Sequence, residues 1–366
     1  MDSVTQFALG ATVGVVALGS RIGPRKAAII GGLMGTVPDL DTFVPSADQV
    51  EKFVSHRGAT HSLVIQAIAT PLFAEPLVRL FKDLRDSRIR TYLAVYLMFA
   101  AHALIDAMTV YGTKLLWPLT DYPFGVGSIF IIDPIYTLPL LIVTLAALFM
   151  GTWRTRFGRW AWGALGVTTA YMLATIPMQS VVTARAADVL EQNGITPERL
   201  LAIPTPFNTV YWQAIAITPT QQINLYMPVY GDEANVTAYT YPRRPDLRAC
   251  LAGLPKYQDL EAFTKGYFRL YEQDDRVIFA DLRMGLAPSY VFRFALAEKT
   301  GGTLKGIEAP DRLPTVREAE GDLPWLFAGI QGEQVVRPAE AEAEIALGTL
   351  MPSLELAAIG PCGAPG

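Results

Sequence analysis

Six residues in this 366-residue chain have the types and spacing of metal ligands. Pro38-Asp39-Leu40-Asp41 presents two carboxylates at i, i+2 after a helix-ending turn. His56-Arg57-Gly58-Ala59-Thr60-His61-Ser62 presents two imidazoles across a glycine turn. His102-Ala-Leu-Ile-Asp106 presents an imidazole and a carboxylate at i, i+4, which puts both on one helix face. These are the only three histidines in the chain. Imidazole nitrogens and carboxylate oxygens together suit Zn2+ or Mn2+, and three of each match a site for two or more such ions. Taken singly, each has an ordinary explanation. A helix histidine is a satisfied polar group, an aspartate near proline is a cap, and Asp106 is an ion-pair partner for Arg57 or Lys114. The collection is what points to metal.

Neighbouring residues suit phosphate chemistry. Arg57 offers a planar fork for an oxyanion, or else a partner for Asp39 or Asp41. Thr60 and Ser62 offer hydroxyls to ligands or substrate. Lys114, after Tyr111-Gly112-Thr113, offers a second positive charge. Asp133 heads an apolar run and reads as a helix N-cap.

The elements that must position these residues are membrane helices. Only 17% of the chain is charged, against about 25% in an average soluble domain, and mean hydropathy is +0.29. That composition excludes a disordered chain, a nucleic-acid binder with a large basic face, and a disulfide-stapled scaffold. Two cysteines, Cys250 and Cys362, are too few for a framework, and no bridge between them is expected. Candidate spans run near 4–20, 26–44, 62–80, 91–110, 133–151 and 160–178. Pro38, Asp39 and Asp41 weaken the second, and Pro71, Glu75 and Pro76 the third. Asp2 stands where a signal peptide needs basic residues, so a retained first helix is expected. Residues 1–180 hold 14 Lys+Arg, and 11 of these lie in the loops after spans one, three and five. Alternation puts those loops on one side, the cytoplasm by charge bias. The six ligand candidates then gather at the opposite, outer face. Ionisable groups inside spans are costly and usually mark function.

Residues 181–366 differ, with 23 Asp+Glu against 16 Lys+Arg. Span six continues into an amphipathic helix over 178–191 that Asn193-Gly194 stops. Strands are expected over 209–217, 222–227, 276–283 and 289–296, and helices near 254–270 and 338–347. The expected fold is an α-helical membrane domain of about six transmembrane helices followed by a smaller soluble α+β or mainly β domain. The expected divisions are 1–180, an extracytoplasmic 181–360, and a disordered tail at 361–366.

At these motifs the chain resembles the YdjM family of bacterial membrane-bound, predicted metal-dependent hydrolases. The matching elements are Met1-Asp2-Ser3-Val4-Thr5-Gln6, Pro38–Asp41, His56–Ser62, His102–Asp106 and Leu115-Leu116-Trp117-Pro118. The resemblance covers residues 1–180. The family is similar in motif logic to the zinc-dependent phospholipase C and P1-type nuclease group. It implies hydrolysis of a phosphate ester at the bacterial inner membrane, with two Zn2+ or Mn2+ held by Asp39, Asp41, His56, His61, His102 and Asp106. Some relatives carry His near the position of Gln6, and Gln is a poor ligand, which favours two ions over three.

The expected mechanism is metal-assisted hydrolysis of a lipid-like or other phosphodiester at the outer membrane face. Asp39 or Asp41 steers the attacking water, and Arg57 and Lys114 stabilise charge. The expected partners are membrane lipids and the phosphate-ester substrate, with no nucleic acid. Two alternatives use the same residues differently: a metal-ion or small-solute transporter, and a non-catalytic membrane scaffold. A transporter wants ligands near the midplane and an inverted repeat, and none is visible. An intramembrane metalloprotease wants His-Glu-x-x-His, which is absent.

Overall fold

The computed structural model describes residues 1–231, 235–300, 303–315 and 319–345. In chain order the first half forms α1 (Ser3–Ile22), α2 (Pro24–Thr36), α3 (Gln49–Ser55), α4 (Leu63–Leu80), α5 (Lys82–Arg85), α6 (Arg88–Met108), α7 (Pro134–Phe149) and α8 (Thr155–Gln192). Two short 3-10 turns, Val37–Phe43 and Ala59–His61, lie between them.

Contacts divide the chain into two compact units. The first combines Met1–Val44, His56–Pro177 and Pro206–Asn208. The second combines Pro45–Ser55, Met178–Thr205 and the described residues from Thr209 onward.

In the first unit, α1, α4 and α6 are long and apolar enough to cross a membrane, as is the helix α8 that runs on into the second unit. The other two expected spans are shorter. Helix α2 has 13 residues, about 20 Å at 1.5 Å per residue, against a hydrocarbon core of about 30 Å. It ends where Pro38 enters and the chain tightens into the 3-10 turn that carries Asp39 and Asp41. Helix α7 has 16 residues, and Asp133 caps its start by accepting from Tyr136 N–H at 2.9 Å. The expectation of six full-length spans is corrected to four among the described residues.

Helices α1 and α2 touch through glycines. Gly10 and Gly14 on α1 face Gly31 and Gly35 on α2, and a methyl group at any of the four would strike backbone of the other helix. Two small-xxx-small faces permit this close approach. It sets α2, and so the turn after it, against the helix that begins with Asp2, whose carboxylate caps Val4 and Thr5. Ala8 and Leu9 of α1 pack with Ile105 and Met108 of α6 and with Tyr136 and Leu140 of α7.

The second unit is two antiparallel sheets with short helices. It contains β1 (Arg199–Pro204), β2 (Tyr211–Ile217), β3 (Gln221–Pro228), β4 (Thr237–Pro242), α9 (Pro245–Leu251), α10 (Pro255–Thr264), β5 (Phe268–Gln273), β6 (Arg276–Asp281), β7 (Arg293–Thr300), β8 (Thr303–Gly306), α11 (Asp322–Ile330) and β9 (Glu344–Ile345). One sheet has the order β1-β2-β3-β4-β9 and the other β5-β6-β7-β8. Val182, Ala186, Val189 and Leu190, late in α8, cover Trp212, Ala214, Ile223 and Leu225 of the first sheet. A second core gathers Leu247, Leu251, Tyr257, Leu260, Phe268, Phe279 and Phe294 around Val50 of α3.

Two expected helices are revised. The one over 254–270 stops at Thr264, because Lys265 and Gly266 turn left-handed (φ 54° and 81°) and the chain enters β5. The one over 338–347 is a 3-10 turn, Pro338–Ala343, followed by β9 pairing with β4; residues 346–347 lie outside the described residues. The tail 361–366 also lies outside them. Cys362 falls there too, so the expectation about a bridge to Cys250 on α9 lies outside the described residues.

Candidate metal centre

Four segments of the first unit converge on one point. The 3-10 turn after α2 supplies Asp39, the turn Ala59–His61 supplies His61, and α6 supplies His102 and Asp106. Helix α1 adds Gln6, which touches Asp106. His61, His102 and Asp106 have side chains at most 1% exposed, whereas Asp39 is 28% exposed and forms the open side.

Five of the six separations among these ligand atoms are close to those around one ion, and all lie within 4.8 Å. His61 Nε2 lies 3.1 Å from His102 Nε2 and 3.4 Å from both Asp39 Oδ1 and Asp106 Oδ2. His102 Nε2 lies 3.3 Å from Asp39 Oδ1 and 3.7 Å from Asp106 Oδ2. Ligands about 2.0–2.1 Å from a tetrahedral ion stand about 3.3–3.4 Å apart.

The hydrogen bonds also fix which imidazole nitrogens are free. His102 Nδ1–H donates to the carbonyl of Gly35 at 2.6 Å, because a carbonyl can only accept. Thr60 Oγ1 donates its one hydrogen to Asp41 Oδ2 at 2.9 Å. It therefore accepts from His61 Nδ1–H at 3.0 Å. In their neutral forms both rings then turn Nε2 lone pairs toward one another. Two lone pairs at this distance repel unless a cation lies between them. The donor set thus fits a divalent metal, with the outer nitrogen of each ring held by a hydrogen bond as in known metal sites.

The remaining sequence candidates surround this group. Asp41 Oδ1 bonds His56 Nδ1 at 2.9 Å, and His56 Nε2 is 3.9 Å from Asp39 Oδ1. His56 and Asp41 thus stand beside the four convergent ligands. Both aspartates lie outside the long apolar helices. Burial pushes their carboxyls up, but the imidazoles of His102 and His61 beside Asp39, and the bond from His56 to Asp41, outweigh it. Both are held below the ordinary range.

Arg57 does not pair with Asp39 or Asp41. Its Nε lies 3.2 Å from Asp106 Oδ2 and its Nη1 donates to Thr109 Oγ1 at 2.7 Å. Arg57 has a left-handed backbone (φ 66°), and Lys114 N–H holds its carbonyl at 3.1 Å. The Lys114 ammonium reaches Asp121 at 3.2 Å, so this residue meets the site through its main chain. The same loop accepts from Leu63 N–H through Leu115 O, and Ser62 Oγ donates to Trp117 O. The Leu115–Pro118 stretch is thus a brace for the histidine turn.

Thr109 and Gly35 carry no site role in the sequence, and Gln6 enters there only as a poor metal ligand on the helix face of Asp2. Gln6 Nε2 donates to Asp106 Oδ1 at 2.9 Å, and the Met1 amine donates to the same oxygen. Only the position of Gln6 in the opening motif signalled it; Thr109 and Gly35 carried no signal, because contacts between helices are not written in local spacing.

Fold and site together define a helical protein with apolar segments of membrane length and a His/Asp cluster able to hold a metal ion. Residues 1–182 match the model of the YdjM inner membrane protein family, and this part of the chain belongs to that family. The chain is 26% identical over 140 residues to a Bacillus subtilis (strain 168) protein named "Uncharacterized protein YfhP". That alignment covers 37% of this chain and 42% of the relative, so the chain spans less than half of it. No solved structure matches.

Proposed function

We propose that residues 1–182 form a membrane-bound, metal-dependent hydrolase of a phosphate ester, working at the outer face of the bacterial inner membrane. The observation that carries this reading is the pair of Nε2 lone pairs on His61 and His102, enclosed by Asp39 and Asp106 at tetrahedral-edge separations. A divalent ion held there would supply Lewis-acid activation of water and of a phosphoryl oxygen. Asp39, the exposed ligand, marks the side from which substrate and water arrive. Asp41 orients His56 and Thr60 on that side and is placed to steer the water. Arg57 holds Asp106 and offers its remaining donors to charge on the phosphoryl group. Lys114 contributes by locking the Arg57 turn.

One centre of four ligands accounts for the geometry, with His56 and Asp41 as the flank on which a second ion would depend. Zn2+ suits the nitrogen and oxygen donor set. The transporter reading gains no support from the grouping of the ligands around one helix-ending turn.

The test compares full-length wild type with His61→Ala and Asp106→Asn. Metal content is read by inductively coupled plasma mass spectrometry, and hydrolysis with phosphodiesters in phospholipid micelles. Loss of stoichiometric metal together with hydrolysis is the expected result. Metal retained in both variants overturns the site, and metal uptake into proteoliposomes without hydrolysis overturns the enzyme.

A further inference from the structure

The chain leaves the first unit between Asp41 and His56 and returns. Pro45–Ser55 belongs by its contacts to the second unit, although Asp39 and Asp41 precede it and His56 and His61 follow it within the first. This strap is anchored at three kinds of contact. Val50 of α3 is fully buried in the core built by α9, α10 and β5–β7. Phe53 packs its ring edge-on to Phe263, with centroids 4.7 Å apart, and tilted against Phe292 at 4.3 Å and Phe294 at 5.4 Å. Asp48 pairs with Lys256 of α10 at 2.5 Å and accepts from the N–H groups of Val50 and Glu51.

We infer that the second unit is a positioning element of the metal centre, and that Val50, Phe53 and the Asp48–Lys256 pair are positioning residues for it. Resting on the metal reading above, the inference gives residues 178–345 a task. A free loop of this length would leave the Asp39–Asp41 turn and the His56–His61 turn to find one another at an entropic cost. With the loop body fixed in a packed core, its two ends are restrained. The Asp41–His56 bond at 2.9 Å and the Thr60–Asp41 bond then join turns whose connection is already held. His102 and Asp106 on α6 need no such help, since a single helix sets their spacing.

The experiment measures Zn2+ affinity of the full chain by chelator competition. It uses wild type, Phe53→Ala, a Gly-Gly-Ser insertion after Pro45, and the control Leu225→Ala in the other core of the second unit. Phe53→Ala releases the strap. The insertion leaves the strap packed and slackens its tether. Each is expected to weaken Zn2+ binding about tenfold or more, the scale of losing an outer support of a ligand, while Leu225→Ala leaves it within about twofold. Wild-type affinity in the insertion variant overturns the inference, and so does an equal loss in Leu225→Ala. Absence of Zn2+ binding in wild type instead overturns the metal reading on which it rests.

Discussion

His61 and His102 face one another Nε2 to Nε2 at 3.1 Å, each with its Nδ1 already committed to a hydrogen bond. The commitment of His61 depends on Thr60, whose single hydroxyl hydrogen goes to Asp41. One threonine therefore sets both the orientation of an aspartate and the tautomer of a ligand.

Thr60→Val removes that hydroxyl and keeps the shape. Zn2+ affinity is expected to fall about 10–100-fold, as for other lost supports of metal-bound histidines. Thr60→Ser is expected to restore most of it. Chelator competition measures both, and wild-type affinity in Thr60→Val would contradict the tautomer assignment.

Arg57 and Asp106 form a buried pair, with side chains 10% and 1% exposed. Removing Arg57 leaves Asp106 with only the Met1 amine and Gln6 as donors on its other oxygen, and breaking a buried pair costs up to about 3–5 kcal/mol. Arg57→Ala is expected to lower the melting temperature of the metal-free protein strongly. Added Zn2+ should recover part of the loss, because a cation again neutralises Asp106. Thermal unfolding in detergent with and without Zn2+ checks this. Equal losses in both conditions would remove Asp106 from the metal's neighbourhood.

The candidate ligands and their neighbour His56 were legible because each short motif is local. A helix carries His102 and Asp106 at i, i+4, and a glycine turn carries His56 and His61. The strands were legible where β-branched and aromatic residues cluster, as in Tyr211–Ile217. The role of Arg57 was less so, since choosing Asp106 over Asp39 and Asp41 requires knowing how α6 meets the histidine turn. The strap was illegible for a related reason. Gln49–Ser55 is only 7 residues long, and what buries Val50 lies some 200 residues later in the sequence. Span number failed where a 3-10 turn and a short helix replaced full-length helices, because hydropathy does not report where Pro38 ends α2.

The Asp48–Lys256 pair gives the strap a defined pH window. Partial burial pushes the Asp48 carboxyl up, but the Lys256 ammonium and the helix N–H groups outweigh it and hold it below the ordinary range. The same contact raises Lys256. A depressed carboxyl stabilises the fold above its unfolded pKa, about 3.9, and loses that contribution as pH falls through the lower folded value. A raised amine contributes fully below its unfolded pKa, about 10.4, and loses its share as pH rises through the higher folded value. Hydrogen exchange of residues 45–55, corrected for intrinsic rates, is therefore expected to show constant protection from about pH 5 to 9. Lys256→Ala should lower protection across that range. A midpoint near neutral pH would place control of the strap in some other group.

Gln6 shares Asp106 Oδ1 with the Met1 amine, so one carboxylate is held on its outer oxygen by two donors and offers its other oxygen to the cluster. Gln6→Leu removes a neutral donor and leaves the aspartate less firmly aimed. Its Zn2+ affinity is expected to fall by about 10-fold or somewhat more. Gln6→Glu has a different sign in the two states. Without metal it sets a second carboxylate against Asp106 in a buried place, which destabilises the fold. With metal the added charge is attracted to the ion. The difference in melting temperature between Zn2+-loaded and metal-free protein should therefore widen in Gln6→Glu and shrink in Gln6→Leu. Parallel shifts in the two variants would mean that Gln6 supports helix packing alone and does not orient Asp106 toward a cation.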